Sequence, residues 1–88
     1  MKTEFRDSFG KDLKGIKDRQ LLKRVKEAIE AIENASSLVD LPSLKKLKGG
    51  KNYFCQRIGE YRLGLALEDD TVVLVRFLNR KDIYKYFP

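Results

Sequence analysis

Tyr61-Arg62-Leu63-Gly64-Leu65-Ala66-Leu67-Glu68-Asp69-Asp70-Thr71-Val72-Val73-Leu74-Val75-Arg76-Phe77-Leu78 is the stretch on which the fold turns. From Tyr61 to Glu68, the apolar set Tyr61, Leu63, Leu65, Leu67 alternates with Arg62, Gly64, Ala66, Glu68. That period of two predicts a half-buried strand with Arg62 on the less apolar face. Asp69-Asp70 reverses the chain, and Thr71 to Leu78 is nearly all apolar and β-branched, interrupted only by Arg76. Such a run reads as a central strand. Upstream, Asn52 to Ile58 sets Tyr53, Cys55 and Arg57 against Phe54, Gln56 and Ile58, with Gly59-Glu60 as the next turn. Successive strands joined by such short turns predict an antiparallel meander.

Working outward, residues 2–6 alternate weakly and suggest a short edge strand. A helix is expected from Ser8, with Phe9, Leu13 and Ile16 on one face and Gly10 and Gly15 weakening it. Asp18 is placed to cap a longer helix in which Leu21, Leu22, Val25, Ile29 and Ile32 form an apolar stripe. That helix should end between Asn34 and Ser37, where side chains that bond to the backbone interrupt the pattern. The two helices form a hairpin that packs its stripe on the sheet. Leu41-Pro42-Ser43-Leu44 then breaks regular structure and leads into Lys45, Lys46, Lys48 and Lys51 around Gly49-Gly50. Asn79 to Phe87 is either a last helical turn or an extended tail, and Ile83, Tyr84 and Phe87 either share a helical face or plug the core. The expected fold is α+β: an N-terminal strand and helical hairpin packed on an antiparallel sheet, in a single domain over 1–88.

The chain of 88 residues carries a net charge of +6, which favours an acidic partner. The excess is uneven. Residues 1–40 hold nine Lys or Arg against eight acids, whereas residues 41–66 hold six against Glu60 alone. Cys55 is the sole cysteine, so no intrachain disulfide forms and a reducing compartment is expected. The absence of histidine removes the commonest general acid and base and leaves no zinc ligand set, so neither metal nor cofactor is expected. No apolar run approaches the roughly 20 residues of a membrane span, and the opening residues are not those of a signal peptide. A cytoplasmic protein with no membrane partner is expected.

On the meander, Arg62, Arg76 and Arg80 can share one face, with Arg57 and Tyr84 or Tyr86 completing a phosphate-sized positive pocket with an aromatic wall. Such a pocket suits RNA, although arginines on an open sheet face are also often only solvated. Lys45, Lys46, Lys48, Lys51 and Lys81 are further candidates for RNA contact, the run beside Gly49-Gly50 reading equally as a soluble loop. Tyr53 and Tyr61 read as packing residues and Cys55 as a small buried hydrophobe. Asp82 is expected to cap or to pair with Arg80 or Lys81.

Arg57-x-Gly59-x-Tyr61-Arg62 followed by Arg80-Lys81-Asp82-x-Tyr84, after a helical hairpin and a basic Leu-Lys-Gly segment, resembles the RelE/ParE superfamily of bacterial toxins. The resemblance spans the chain in element order and is motif-specific in those two segments. It implies the toxin of a type II toxin-antitoxin pair, with a cognate antitoxin, the ribosome and mRNA as partners, and operator DNA bound only as the toxin-antitoxin complex. Ribosome-dependent, metal-independent mRNA cleavage is the activity implied for RelE-like members. Inhibition of DNA gyrase is the alternative for ParE-like ones, and an inactive relic that binds only its antitoxin is a third.

By position, the resemblance implies that Arg62 binds the scissile phosphate and that Arg80 stabilises the transition state or acts as general acid. Tyr84 would orient the 2′-hydroxyl, stack on a base or act as base. The paired lysines of RelE find no clean match, since Phe54, Cys55 and Gln56 occupy their strand; Lys51 or Arg57 is left to substitute. Asn79 stands where many relatives carry histidine.

Overall fold

A computed structural model describes residues 1–41, 43–48 and 52–88 of the chain. The order of elements is β1 (Lys2–Phe5), α1 (Asp7–Lys14), α2 (Arg19–Asn34), a 3-10 turn (Leu38–Asp40), β2 (Leu44–Lys46), β3 (Tyr53–Ile58), β4 (Tyr61–Glu68), β5 (Thr71–Asn79) and α3 (Ile83–Tyr86). The strands form one sheet in the order β1-β5-β4-β3-β2.

The expected meander is present as β3-β4-β5, with antiparallel neighbours throughout. The ends of the sheet differ from the sequence reading. β1 lies parallel to β5, so the sheet is mixed, and Leu44–Lys46 adds an antiparallel edge strand where a basic loop was expected. Three residues are too few for a period of two to show, which is why β2 escaped notice. Pairing with Phe54, Cys55 and Gln56, not intrinsic preference, holds it in place.

Asp18 caps α2 as its sequence position implies, its carboxylate accepting from the backbone N–H groups of Gln20 and Leu21. The stripe of α2 meets the sheet. Val25, Ile32 and Phe9 pack with Ile58, Leu63, Leu65, Val72, Leu74 and Phe77 in the main core. Tyr61 stacks on Phe77 with ring centres 5.0 Å apart, which places it in that packing and not in a site.

The opposite sheet face carries a smaller cluster built on Cys55, Ile83 and Phe87. The short α3 is therefore the apolar plug that the C-terminal pattern allowed, while Tyr84 on its outer side is 59% exposed. Gly64 makes this docking possible. A Cβ there would lie 2.8 Å from the Phe87 ring, closer than a side chain can approach.

Within β5, Gly64 pairs with Arg76 but the neighbouring Leu65 pairs with Leu74, so Val75 is an extra residue and the strand bulges. A bulge breaks alternation and twists the strand locally. Its consequence for Arg76 appears at the site.

Candidate functional site

The sheet face opposite α1 and α2 presents the basic residues in register. Arg57 and Arg62 are direct partners in the β3-β4 ladder, joined through the Gly59-Glu60 turn, in which Gly59 adopts a φ of 60°. Together with Ser43, Lys45, Cys55 and Tyr84 they line a concavity of about 250 Å³. A neighbouring hollow of about 400 Å³ shares Lys45 and Tyr84 and adds Lys46, Leu47, Lys48, Phe87 and Pro88. No Asp or Glu side chain is among the described residues lining either one. Cations, one exposed phenol and an apolar floor thus share a groove.

Arg62 is held by its own turn, donating from Nη1 to the carbonyl oxygens of Tyr61 at 3.0 Å and Gly59 at 3.2 Å. A guanidinium carries five N–H donors, so this anchoring leaves others for an anion in the groove. Cys55 forms the floor, 3% exposed, and burial pushes its thiol up to about 11 against the opposing pull of Arg62 and Lys45. At neutral pH it is a protonated thiol and not a nucleophile.

The arginine row expected from alternation is not assembled. Arg76 is turned to α1, where its Nε and Nη2 donate to the Asp12 carboxylate at 2.8 and 3.1 Å, and Phe77 N–H donates to the same carboxylate at 2.9 Å. Hydrogen bonding to Asp12 raises its pKa further, and the Tyr86 ring lies 5.7 Å from its guanidinium. The bulge at Val75 and the end of β1 at Phe5 leave this part of β5 next to α1, and Arg76 reaches across the gap.

Arg80 lies at the rim. Its backbone N–H donates to the carbonyl of Glu60 at 2.9 Å, and its Nε pairs with the Glu60 carboxylate at 3.0 Å, both side chains being more than half exposed. Leu78 is the ladder partner of Arg62, so Arg80 follows two residues later, just past the end of β5, and it is not among the residues lining either hollow. Lys81 is exposed, its backbone N–H donating to the Asn79 side chain at 3.0 Å. Asn79 is therefore a turn-forming residue. Asp82 sits 3.9 Å from Lys85, not beside Arg80 or Lys81. Lys51 lies outside the described residues.

Of the residues expected to bind or cut RNA, the structure brings Lys45, Arg57, Arg62 and Tyr84 together and sets Lys46 and Lys48 beside them. Ser43, Gly64, Phe87 and Glu60 were missed. Gly64 had a signal, since glycine within an otherwise apolar strand marks a close approach; the others depend on tertiary placement. No metal-ligand cluster occurs among the described residues, and none of the described helices is long and apolar enough to cross a membrane.

A family model described as the ParE toxin of the type II toxin-antitoxin system matches residues 3–84. Toxin RelE3 of Methanocaldococcus jannaschii is 45% identical over 89 residues, with both chains fully covered. The crystal structure of a RelB-RelE antitoxin-toxin complex from Methanococcus jannaschii superposes with a TM-score of 0.81 at 42% identity, covering 97% of this chain and 99% of the other. Escherichia coli YafQ, at 20% identity, shares the fold with a TM-score of 0.75 over 93% of this chain and 96% of its own. Taken with the Arg57–Arg62 hairpin and the Arg80–Tyr84 terminus, these matches establish that the chain belongs to the RelE/ParE superfamily of toxins of type II toxin-antitoxin systems.

Proposed function

We propose that this toxin is a ribosome-dependent, metal-independent mRNA endonuclease. The observation that carries the reading is the acid-free groove in which Arg57, Arg62 and Lys45 converge beside the exposed Tyr84. A gyrase inhibitor needs a binding surface but no phosphate-sized cationic pocket with a phenol at its lip.

In this reading the 2′-oxygen of a bound nucleotide attacks the adjacent phosphorus and displaces the 5′-oxygen. The products are a 2′,3′-cyclic phosphate and a 5′-hydroxyl. A proton leaves the 2′-hydroxyl and one is delivered to the departing 5′-oxygen. Negative charge gathers on the non-bridging oxygens, where Arg62 is already held in place. Preorganised donors of this kind contribute roughly 3–4 kcal/mol to such a step. Tyr84 orients the 2′-hydroxyl or stacks on a base. Arg80, at the rim, contributes charge or a proton once it exchanges Glu60 for the substrate phosphate. The Glu60–Arg80 pair is a surface pair worth about 0.2–1 kcal/mol, so a phosphate can displace it.

The partners proposed are the ribosome and mRNA, and an antitoxin, the last supported by the antitoxin-toxin complex of the 42% identical relative. Operator DNA would be bound only as that complex, and the compartment would be the cytoplasm. An acidic antitoxin segment complements the net charge of +6.

The test is primer extension on a reporter mRNA after brief induction in cells, comparing wild type with Arg62→Ala and Arg80→Ala. Cuts within translated codons that disappear in the variants support the reading. Growth arrest with intact mRNA and DNA-damage signalling moves the assignment to gyrase, the alternative that the ParE family match keeps open. Undiminished cutting by a folded Arg62→Ala/Arg80→Ala protein overturns the proposed site.

A further inference from the structure

Phe54, Gln56 and Ile58 alternate along the side of β3 that faces the main core, and Gln56 is the odd member of the set. At 8% exposure it is the one buried polar side chain among the described residues, and its carbonyl oxygen Oε1 meets no donor among them. An apolar side chain of the same shape would remove that unmet acceptor at little or no cost to stability. The value of a glutamine here therefore lies in the other end of its amide.

That end donates from Nε2 to the Ser43 hydroxyl at 3.3 Å, just before β2 begins. Ser43 is exposed, and it lines the concavity of Arg57, Arg62 and Tyr84. Its carbonyl accepts from the Arg57 N–H at 3.5 Å, which ties it to β3. A hydroxyl that accepts from an amide keeps its own hydrogen to donate. The other side chains lining the concavity, Lys45, Cys55, Arg57, Arg62 and Tyr84, include no carboxylate to take it. An acceptor that enters from outside can.

Register indicates which acceptor. Leu44 pairs with Gln56, so Ser43 falls opposite Arg57, and Arg57 is in turn the partner of Arg62. The three residues make one row across three strands. Strands lie about 4.8 Å apart, which separates the backbones of Ser43 and Arg62 by roughly 10 Å. The serine side chain is short, and Arg62 folds back on the carbonyls of Tyr61 and Gly59. A single phosphate does not reach both, whereas a strand of RNA laid along the row presents successive phosphates to them.

We propose that Ser43 is a backbone-binding residue of the groove, its hydroxyl donating to the phosphate next to the one held at Arg62, and that Gln56 is the positioning residue that keeps this hydroxyl turned toward it. The proposal rests on the reading of the groove as an RNA site and deepens it: the site grips two consecutive phosphates of a single strand. Arg57, between them, serves either one.

The experiment titrates isotope-labelled toxin with a trinucleotide of 2′-O-methyl riboses, whose blocked 2′-oxygens prevent cleavage, and follows the amide resonances of the groove by NMR. Ser43→Ala should weaken binding about tenfold, the scale of a hydrogen bond to a charged group, while Ser43→Thr keeps most of the affinity. Gln56→Met should melt no lower than wild type and yet bind several-fold more weakly, a combination that a purely structural role does not produce. Two further probes each carry one uncharged methylphosphonate linkage. The Ser43→Ala loss should vanish with one of them and the Arg62→Ala loss with the other. Undiminished binding by Ser43→Ala overturns the proposal, as does a Ser43→Ala loss that persists with both probes or vanishes at the same linkage as that of Arg62→Ala. Wild-type affinity in Gln56→Met overturns the positioning role. A wild-type groove that does not respond to millimolar probe overturns the proposal together with the reading of the groove as an RNA site. Failure of the nuclease reading alone appears instead as intact mRNA in the cellular assay, with the titration pattern as expected.

Discussion

Arg57 and Arg62 stand directly opposite each other in the β3-β4 ladder, two guanidiniums on one face of the sheet with no acid among the described residues lining their pocket. Like charges placed directly across a ladder are destabilising. The fold tolerates the pair because the turn beside it holds Arg62 through two carbonyls and because Arg57 is exposed to water.

Arg57→Gln should therefore stabilise the protein while weakening its function. The expected gain is roughly 0.2–1 kcal/mol, the range for cross-strand charge pairs, read as a higher urea midpoint. Cleavage or RNA affinity should fall in the same variant. A lower midpoint would show that Arg57 is a packing residue.

Asp12→Ala should be among the more damaging single changes outside the apolar core. It removes the partner of Arg76 and leaves Phe77 N–H without its acceptor, at side-chain exposures of 25% for Arg76 and 11% for Asp12. An unpaired, partly buried group of this kind costs about 1–3 kcal/mol. Urea unfolding of Asp12→Ala, Arg76→Ala and the double variant measures the coupling, which should make the double variant less destabilised than the sum of the singles.

That pair also marks the limit of what residue order alone reveals. The alternation of Tyr61 to Glu68, the β-branched run of Thr71 to Leu78 and the apolar stripe that follows Asp18 are local patterns, and they were enough to place the meander and the Asp18 cap. The fate of Arg76 was not local. Its even-numbered spacing from Arg62 and Arg80 put all three in a row, and the bulge at Val75 is invisible in a strand that is apolar at every neighbouring position. β2 and the parallel pairing of β1 are likewise set by tertiary partners, as is the capture of Arg80 by Glu60. Arg57, Arg62 and Tyr84 were legible together because their chemistry, basic and aromatic on a sheet face, matches a family motif as well as a physical pattern, whereas Lys45 read only as part of a basic run and reaches the groove through the β2-β3 pairing.

Stability should fall at alkaline pH through Cys55. Its thiol is raised from an ordinary 9.0 to about 11 by burial. Between those values the unfolded chain has released the proton and the folded chain still holds it, so folding loses up to about 1.4 kcal/mol per pH unit across that window. The contribution is fully present below pH 9 and is lost as pH approaches 11. The check is the difference in urea midpoint between wild type and Cys55→Ala at pH 8 and pH 10.5. Convergence of the two curves at the higher pH is expected; a constant difference would show that the thiol does not titrate differently in the two states.

Gly64→Ala should test whether the plug of α3 positions Tyr84. The added methyl would meet the Phe87 ring at 2.8 to 3.0 Å, and the backbone of a central strand cannot retreat as a flexible side-chain tip can. Phe87 must give way. Overpacking of this kind costs about 1–3 kcal/mol, and because Phe87 and Ile83 anchor the segment that carries Tyr84, the groove should lose its aromatic lip together with the packing. The decisive comparison adds Phe87→Leu, which removes ring atoms where the new methyl needs room. If contact is the cause, Gly64→Ala/Phe87→Leu should be more stable than the sum of the two single variants and should recover part of the cleavage activity. Additive losses would mean that Gly64 acts through strand conformation, and that Tyr84 is held by something other than the Phe87 plug.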